Sequence, residues 1–167
     1  MSKINFMKVA FKDYKVGAFL PTSKYVIKRI LKCLKKDYKF VVEYGPGDGV
    51  VTKEILKVLP KDGRLVVVEM NQEFISQLKK IKDDRLVIVE DDVRKVSQKL
   101  DKLGLPKIDA IISGIPFSLI DSKDGEKIVE NTYKFLDKNG AFIVYQSFPV
   151  VAMQMRKIFK KKLNYSF

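Results

Sequence analysis

Short apolar runs alternate with amphipathic stretches along most of the chain. The runs lie at 40–44 (FVVEY), 64–69 (RLVVVE), 85–90 (RLVIVE), 108–115 (IDAIISGI) and 140–148 (GAFIVYQSF). Continuous apolar runs rich in β-branched residues indicate strands that are buried on both faces. The stretches that follow them predict helices at 50–59, 72–82, 93–103, 123–137 and 150–162. This alternation predicts an α/β fold with a doubly wound, mostly parallel sheet.

The ends of the predicted strands carry acids and glycines. In an open parallel sheet, ligands bind beyond the carboxyl ends of the strands. The residues at these ends are Glu43 to Gly49 for the first strand, Glu69 for the second, Asp91 and Asp92 for the third, and Ser113 to Phe117 for the fourth. Three successive strands therefore bring carboxylates to one edge of the sheet, and we expect the functional site there.

The loop after the first strand has the pattern acid-x-Gly-x-Gly-x-Gly, formed by Glu43, Gly45, Gly47 and Gly49. Glycine loses more backbone entropy on folding than any other residue, so three glycines in five positions indicate a loop whose backbone needs them. The dinucleotide fingerprint requires a further glycine three positions after the second, and Val50 stands there. Glu69, 20 residues beyond Gly49, suits the acid that takes ribose hydroxyls in such folds.

At these residues the chain resembles the class I S-adenosylmethionine-dependent methyltransferases, whose first strand ends in an E/D-x-G-x-G-x-G loop and whose second ends in an acid. The resemblance implies a Rossmann-like fold and S-adenosylmethionine as the cofactor. It implies that Gly45 and Gly47 line the methionine moiety and that Glu69 holds the ribose hydroxyls. Asp92, with the backbone of Val93, takes the adenine edge. The predicted cofactor site is Phe19, Glu43, Gly45, Gly47, Asp48, Gly49, Glu69, Met70, Asp91, Asp92, Val93 and Ser113.

The segment ISGIPFSL at 112–119 lies where amine-methylating members carry an Asn/Asp-Pro-Pro-Tyr or Asn-Leu-Pro-Tyr motif. In the ribosomal RNA adenine dimethylases, the amide is implied to bind the target amine and the aromatic to stack on the base. Here Gly114 takes the place of the amide and Phe117 that of the aromatic. The Ser-Gly-Ile-Pro-Phe form resembles the bacterial phospholipid N-methyltransferases, which carry a Ser-Gly-Leu-Pro type motif. The predicted catalytic residues are Ser113, Gly114, Ile115, Pro116 and Phe117; the alternative is a tight turn with a core aromatic.

The segment VGAFLPTSKYVIKRIL at 16–31 resembles the VGA-x-x-P-S-S segment of the same lipid family, and distantly the QNFL segment of the RNA dimethylases. Thr22 or Ser23 is expected to cap the following helix. Residues 1–15 have an apolar stripe among lysines. They predict a basic amphipathic helix that can lie among lipid headgroups or pack on the domain as an ordinary helix.

We expect a single domain, with 1–15 as the amphipathic helix, 16–36 as a segment covering the cofactor and 40–162 as the α/β core. A full class I domain continues past the fifth strand into two more. Here LNYSF at 163–167 could begin the sixth, so we expect the domain to be short at its C-terminus.

Composition limits the chemistry. The chain has no histidine and one cysteine, Cys33, so it lacks the usual general base and the commonest metal ligand. The composition therefore argues against a zinc site or a Ser-His-Asp triad, and we expect no metal. The net charge of +13 predicts an anionic partner, although the scattered lysines also fit a lysine-rich composition. The sequence has no apolar run long enough to span a bilayer and no secretory signal, and with its single cysteine it predicts a cytoplasmic location.

Three functions remain open. The first is a phospholipid (phosphatidylethanolamine) N-methyltransferase, acting as a monomer on the inner face of the membrane, with phospholipid and an anionic membrane surface as its partners. The second is an RNA adenine N-methyltransferase. The third is a cofactor-binding domain without activity. For both enzymes we expect in-line attack of a neutral amine on the sulfonium methyl group. The proton acceptor is a carbonyl from 113–115, water, or one of Tyr14, Tyr25 and Tyr145.

Overall fold

The fold is a parallel five-stranded sheet with helices on both faces, seen in a computed structural model that describes residues 22–104 and 106–145. The strands are β1 (Phe40–Tyr44), β2 (Arg64–Glu69), β3 (Leu86–Glu90), β4 (Ile108–Ser113) and β5 (Leu136–Val144). Their order across the sheet is β3-β2-β1-β4-β5, and every neighbouring pair is parallel. The prediction of a doubly wound parallel sheet is confirmed.

Within the described residues, five helices cover the sheet, and the last four of them connect successive strands. They are α1 (Lys24–Cys33), α2 (Val50–Val58), α3 (Gln72–Leu78), α4 (Ser97–Lys102) and α5 (Ser122–Phe135), with a 3-10 turn at Phe117–Leu119. The predicted N-cap is confirmed at Ser23, whose hydroxyl accepts from the Val26 amide over 3.3 Å. This cap fixes where α1 begins, next to the carboxyl edge of the sheet.

Most elements agree with the predicted bounds to within two residues, and three differ by more. The helix predicted at 72–82 ends at Leu78, because a tighter turn follows it. In this turn the Lys80 amide donates to the Gln77 carbonyl, three residues earlier, over 3.0 Å. The helix predicted at 93–103 begins at Ser97, since 92–95 forms a turn first. β5 begins at Leu136 rather than 140, with a register shift opposite β4. The predictions for 1–21 and 146–167, including Phe19 and the terminal helices, lie outside the described residues.

The core consists of two apolar layers, one on each face of the sheet. Because successive strand residues point to opposite faces, β1 sends Val41 to one layer and Val42 to the other. The first layer packs under α1, α2 and α3, and the second under α4 and α5. Both residues are 1% exposed. Strands held on both faces give the loops at their carboxyl ends a rigid base.

Candidate active site

The glycine loop follows β1 with three left-handed residues. Gly45, Gly47 and Gly49 have φ angles of 65°, 58° and 75°, which L side chains adopt at a cost of roughly 1–2 kcal/mol. A Cβ on Gly45 would lie 2.8 Å from Ile115 Cγ2, whereas a Cβ on Gly47 would meet nothing within 4 Å. The loop is therefore closely packed below Gly45 and open beside Gly47, which leaves room for a ligand against the backbone there.

Glu43 is a fully buried acid directly before this loop. Its Oε2 accepts from the Thr52 hydroxyl over 2.6 Å, while its Oε1 has no hydrogen-bond partner among the described residues. The pKa of Glu43 is raised to about 8, chiefly by burial; the Thr52 hydrogen bond opposes this shift, and the charges of Glu69 and Asp48 add to it. A buried carboxyl with an unused oxygen can take part in a hydrogen bond with a ligand, and a cation bound beside it would favour its ionised form.

Glu69 joins the end of β2 to the glycine loop. Its Oε1 accepts from the amides of Met70 and Asn71, each over 2.9 Å, and its Oε2 accepts from the Gly47 amide over 3.2 Å. The residue is 8% exposed. These bonds fix the carboxylate beside the loop, and a carboxylate is an acceptor for hydroxyl groups.

The acids after β3 are held by cations that the sequence reasoning did not identify. Asp91 pairs with Lys99 over 3.0 Å, and Asp92 pairs with Arg94, which also bridges to Asp124 over 3.1 Å. Hydrogen bonds from Lys99 and Arg94 lower the pKa values of Asp91 and Asp92, respectively. Both acids therefore stay ionised at neutral pH at the carboxyl edge of the sheet.

The segment after β4 reaches the same edge. Ser113 is fully buried, and its hydroxyl has no hydrogen-bond partner among the described residues. The Gly114 amide donates to the Tyr44 carbonyl over 2.9 Å, which holds it beside the glycine loop. Phe117 is 5% exposed and packs in the core layer under α5. The structure thus brings Ser113 and Gly114 to the glycine loop but places the Phe117 ring in the core.

One of the three candidate tyrosines lies at this site. A Cβ on Gly114 would lie 2.5 Å from Tyr145 Oη and 3.0 Å from the Gly45 carbonyl oxygen. Tyr25 is 68% exposed on α1 and stacks on Arg29, and Tyr14 lies outside the described residues. Sequence offered no signal that singles out Tyr145, because its partner Gly114 is distant in the chain.

The site is acidic and suits S-adenosylmethionine. Glu43, Asp48 and Glu69 lie close enough for the last two to raise the pKa of Glu43, and burial raises the pKa of Asp48. Such a cluster favours a ligand with sulfonium and ammonium charges. Among the described residues, the buried side-chain atoms without a partner, Glu43 Oε1 and Ser113 Oγ, also leave hydrogen-bonding capacity for a ligand. Within the described ranges the structure has no cluster of His, Cys, Asp and Glu that could hold a metal ion.

Comparisons with known proteins place the chain among methyltransferases. Residues 13–129 match the ribosomal RNA adenine dimethylase family. A curated relative, the ornithine lipid N-methyltransferase of Singulisphaera acidiphila, is 24% identical over 155 residues, covering 91% of this chain and 81% of the relative.

Solved methyltransferase structures share the fold. The precorrin-6y C5,15-methyltransferase of Geobacter metallireducens superposes with a TM-score of 0.68 at 20% identity, over 84% of this chain and 71% of that chain. The O-methyltransferase TomG of Streptomyces achromogenes, solved in complex with S-adenosylmethionine, superposes with a TM-score of 0.70 at 15% identity, over 99% of this chain and 88% of that chain. Among residues 22–104 and 106–145 there is no helix long and apolar enough to cross a membrane.

Proposed function

The chain belongs to the ribosomal RNA adenine dimethylase family of S-adenosylmethionine-dependent N-methyltransferases, and we propose that its acceptor is the amine of a phospholipid headgroup, phosphatidylethanolamine in the first instance. The observation that carries this proposal is the environment of Gly114. Space for any side chain at this position is taken by the Tyr145 ring and the Gly45 carbonyl. An amide that would recognise an adenine from position 114 cannot be accommodated there.

The relative from Singulisphaera acidiphila supports a lipid acceptor, since its name describes methylation of a lipid amine. It aligns with 91% of this chain, so the likeness extends through both the cofactor and the acceptor segments. We therefore assign the acceptor to the same chemical class, an amine carried on a lipid.

The exposed face of α1 supports action at an anionic surface. Lys24, Lys28, Arg29 and Lys32 are exposed on this helix, together with Tyr25. The sequence has no acid between positions 22 and 36, and none of these four cations has an ion pair within the described part of the chain. Cations near an anionic membrane contribute about 1 kcal/mol each to binding. In our proposal, the four cations bind the enzyme to the inner face of the membrane.

The residues of the site have different roles in methyl transfer. When bound, S-adenosylmethionine supplies a sulfonium methyl group, which the amine nitrogen takes as the carbon–sulfur bond breaks and its electron pair returns to sulfur. Glu69 would hold hydroxyls of the cofactor, Glu43 would face its positive charge, which favours the ionised carboxylate, and the glycine loop would let the cofactor approach the backbone. Ser113 and Gly114 form the acceptor side. Alignment in a pocket that excludes water supplies much of the rate for such a reaction.

An RNA adenine acceptor is the second candidate, favoured by the family match itself and by the net charge of +13. Electrostatic binding to RNA weakens steeply with salt. Under this alternative, methyl transfer to RNA falls strongly between low and physiological salt and needs no lipid.

Labelled methyl transfer distinguishes the two acceptors. The protein is incubated with labelled S-adenosylmethionine and vesicles of phosphatidylethanolamine with phosphatidylglycerol, or with unmodified ribosomal RNA. Vesicles with phosphatidylcholine in place of phosphatidylethanolamine are the matched control, because a quaternary amine has no lone pair to methylate. Label in phosphatidylethanolamine alone supports the proposal, and label in RNA alone refutes it.

A further inference from the structure

The end of β5 brings a hydroxyl group to the place that a side chain at position 114 would occupy. The Tyr145 amide donates to the Ser113 carbonyl over 3.1 Å, which extends the pairing of β4 with β5 by one residue. From this fixed backbone, the ring crosses the end of β4. A Cβ on Gly114 would lie 2.5 Å from Tyr145 Oη and 2.9 Å from its Cζ. A glycine at 114 is therefore what makes room for the tyrosine.

The hydroxyl lies on the cofactor side of the sheet edge. The Gly45 carbonyl oxygen is 3.0 Å from the same Cβ position on Gly114, so the tyrosine and the glycine loop approach one another there. Ser113, the neighbouring residue, contributes a buried hydroxyl that has no partner among the described residues. The Tyr145 hydroxyl and the Gly45 carbonyl oxygen thus lie close together beside the site, although residues 45 and 145 are far apart in sequence.

The surroundings keep the tyrosine neutral. Loss of solvent around the hydroxyl is the largest cause that raises the pKa of Tyr145, and the charge of Glu43 raises it further, while a hydrogen bond with the Thr22 side chain opposes the shift. A neutral phenol both donates and accepts hydrogen bonds. It does not act as a base at neutral pH, so the proton of the methylated amine leaves for water.

We propose that Tyr145 positions the acceptor amine: its hydroxyl oxygen accepts an N–H of the neutral amine, so that the lone pair is free to face the methyl donor. This inference rests on the proposed N-methyltransferase function. Because the Tyr145 ring fills the space above Gly114, the acceptor is a primary or secondary amine on a slender headgroup rather than an amine on a planar base. Gly114 and Tyr145 together therefore determine acceptor specificity.

The replacement Tyr145→Phe removes the hydroxyl and keeps the ring. The expected result is a loss of about tenfold to a hundredfold in kcat/KM for phosphatidylethanolamine vesicles, as for a lost hydrogen bond in the transition state. The dissociation constant of S-adenosylmethionine, measured by calorimetry, stays within about twofold, and the shape of the pH profile of kcat is unchanged. Tyr133→Phe, on the exposed side of α5, is the matched control. Unchanged kcat/KM, or cofactor affinity that falls in step with it, overturns the proposal.

The contact itself has a test that needs no activity. Gly114→Ala is introduced into the natural protein and into Tyr145→Ala, and the melting temperatures are compared. The alanine lowers the melting temperature strongly when the tyrosine is present and less when the ring has been removed, since contacting residues are not additive. Equal decreases in both backgrounds contradict the geometry on which the proposal rests.

Failure of the proposed function and failure of this inference give different results. The acceptor that the natural protein methylates tests the function, whereas the ratio of Tyr145→Phe to the natural protein on that acceptor tests the role of the hydroxyl. RNA methylation with a normal Tyr145→Phe rate overturns both. Lipid methylation with a normal Tyr145→Phe rate overturns only the inference. A natural protein that labels neither acceptor contradicts both.

Discussion

The left-handed glycines provide a matched pair of positions inside and outside the site. Gly47 and Gly104 have the same φ angle of 58°, and a Cβ on either would meet nothing within 4 Å. Gly47 lies in the loop beside Glu69, whereas Gly104 follows α4. An alanine therefore imposes the same backbone strain at both positions. Any difference in cofactor affinity between the two variants then reports whether the loop contacts the cofactor.

We expect Gly47→Ala and Gly104→Ala to lower the free energy of unfolding by similar amounts, roughly 1–2 kcal/mol. Only Gly47→Ala should weaken S-adenosylmethionine binding, because its methyl group would enter the open side of the loop. Chemical denaturation and calorimetric titration measure the two effects. Equal cofactor affinity in the two variants would show that the loop does not line the cofactor.

Glu43 predicts a pH dependence of stability. Its pKa is about 8 in the folded protein against an ordinary value of 4.5. Between these values the unfolded chain has lost the proton while the folded protein retains it, so the free energy of unfolding falls as pH rises from 4.5 to 8 and then levels off. Each unit of pKa difference corresponds to about 1.4 kcal/mol, so the total fall amounts to several kcal/mol.

The replacement Glu43→Gln keeps an oxygen for the Thr52 hydroxyl and removes the ionisation. We expect its unfolding free energy to lack this fall and to exceed that of the natural protein at pH 9. Denaturant titrations at pH 5, 7 and 9 measure the difference, with the exposed Glu126→Gln as the control. Parallel pH curves for the natural protein and Glu43→Gln would refute the assignment.

At the scale of elements, Arg85 ties the start of β3 to the end of α2. Its Nη1 donates to the Leu59 carbonyl over 2.7 Å and its Nη2 to the Leu56 carbonyl over 2.8 Å, while Asp83 pairs with it over 2.7 Å. The guanidinium group thus satisfies carbonyls at the end of the helix that follows the glycine loop. A lysine has no planar fork with which to make these bonds together.

Arg85→Lys should therefore lower the free energy of unfolding by about 2 kcal/mol, as for the loss of charge-assisted hydrogen bonds. Arg64→Lys, at the exposed start of β2, makes the same chemical change without such bonds and should have little effect. Urea denaturation measures both. Equal stabilities of the two variants would mean that Arg85 does not fasten the helix.

The strands and the glycine loop were predictable, whereas cross-element contacts were not. The local pattern of apolar residues is enough to predict β1 and β2, and three closely spaced glycines after an acid are enough to predict the loop. Helix ends at Leu78 and Ser97 depend on turns that apolar spacing does not encode. The pairing of Arg94 with Asp124 and the contact of Gly114 with Tyr145 join distant parts of the chain. Only the folded structure brings these residues together.

At the scale of the whole molecule, the distribution of charge predicts which surface of the enzyme binds an anionic membrane. Reversing three lysines of α1, in Lys24→Glu, Lys28→Glu and Lys32→Glu combined, removes cations from one face. Because each cation contributes about 1 kcal/mol near an anionic surface, we expect binding to phosphatidylglycerol-containing vesicles to fall by on the order of a hundredfold.

The control carries the same charge change at exposed lysines outside α1: Lys82→Glu, Lys127→Glu and Lys138→Glu. Vesicle sedimentation measures binding for both triple variants. If net charge alone governs binding, the two variants lose affinity equally, and α1 then has no special role.

The lipid acceptor is the central claim, and a competition between the two acceptors in one reaction tests it most directly. The protein receives labelled S-adenosylmethionine together with phosphatidylethanolamine vesicles and unmodified ribosomal RNA at physiological salt, and the label is counted in the lipid and RNA fractions. We predict label in methylated phosphatidylethanolamine, with RNA at background. Label in the RNA, with the lipid at background, would contradict the account.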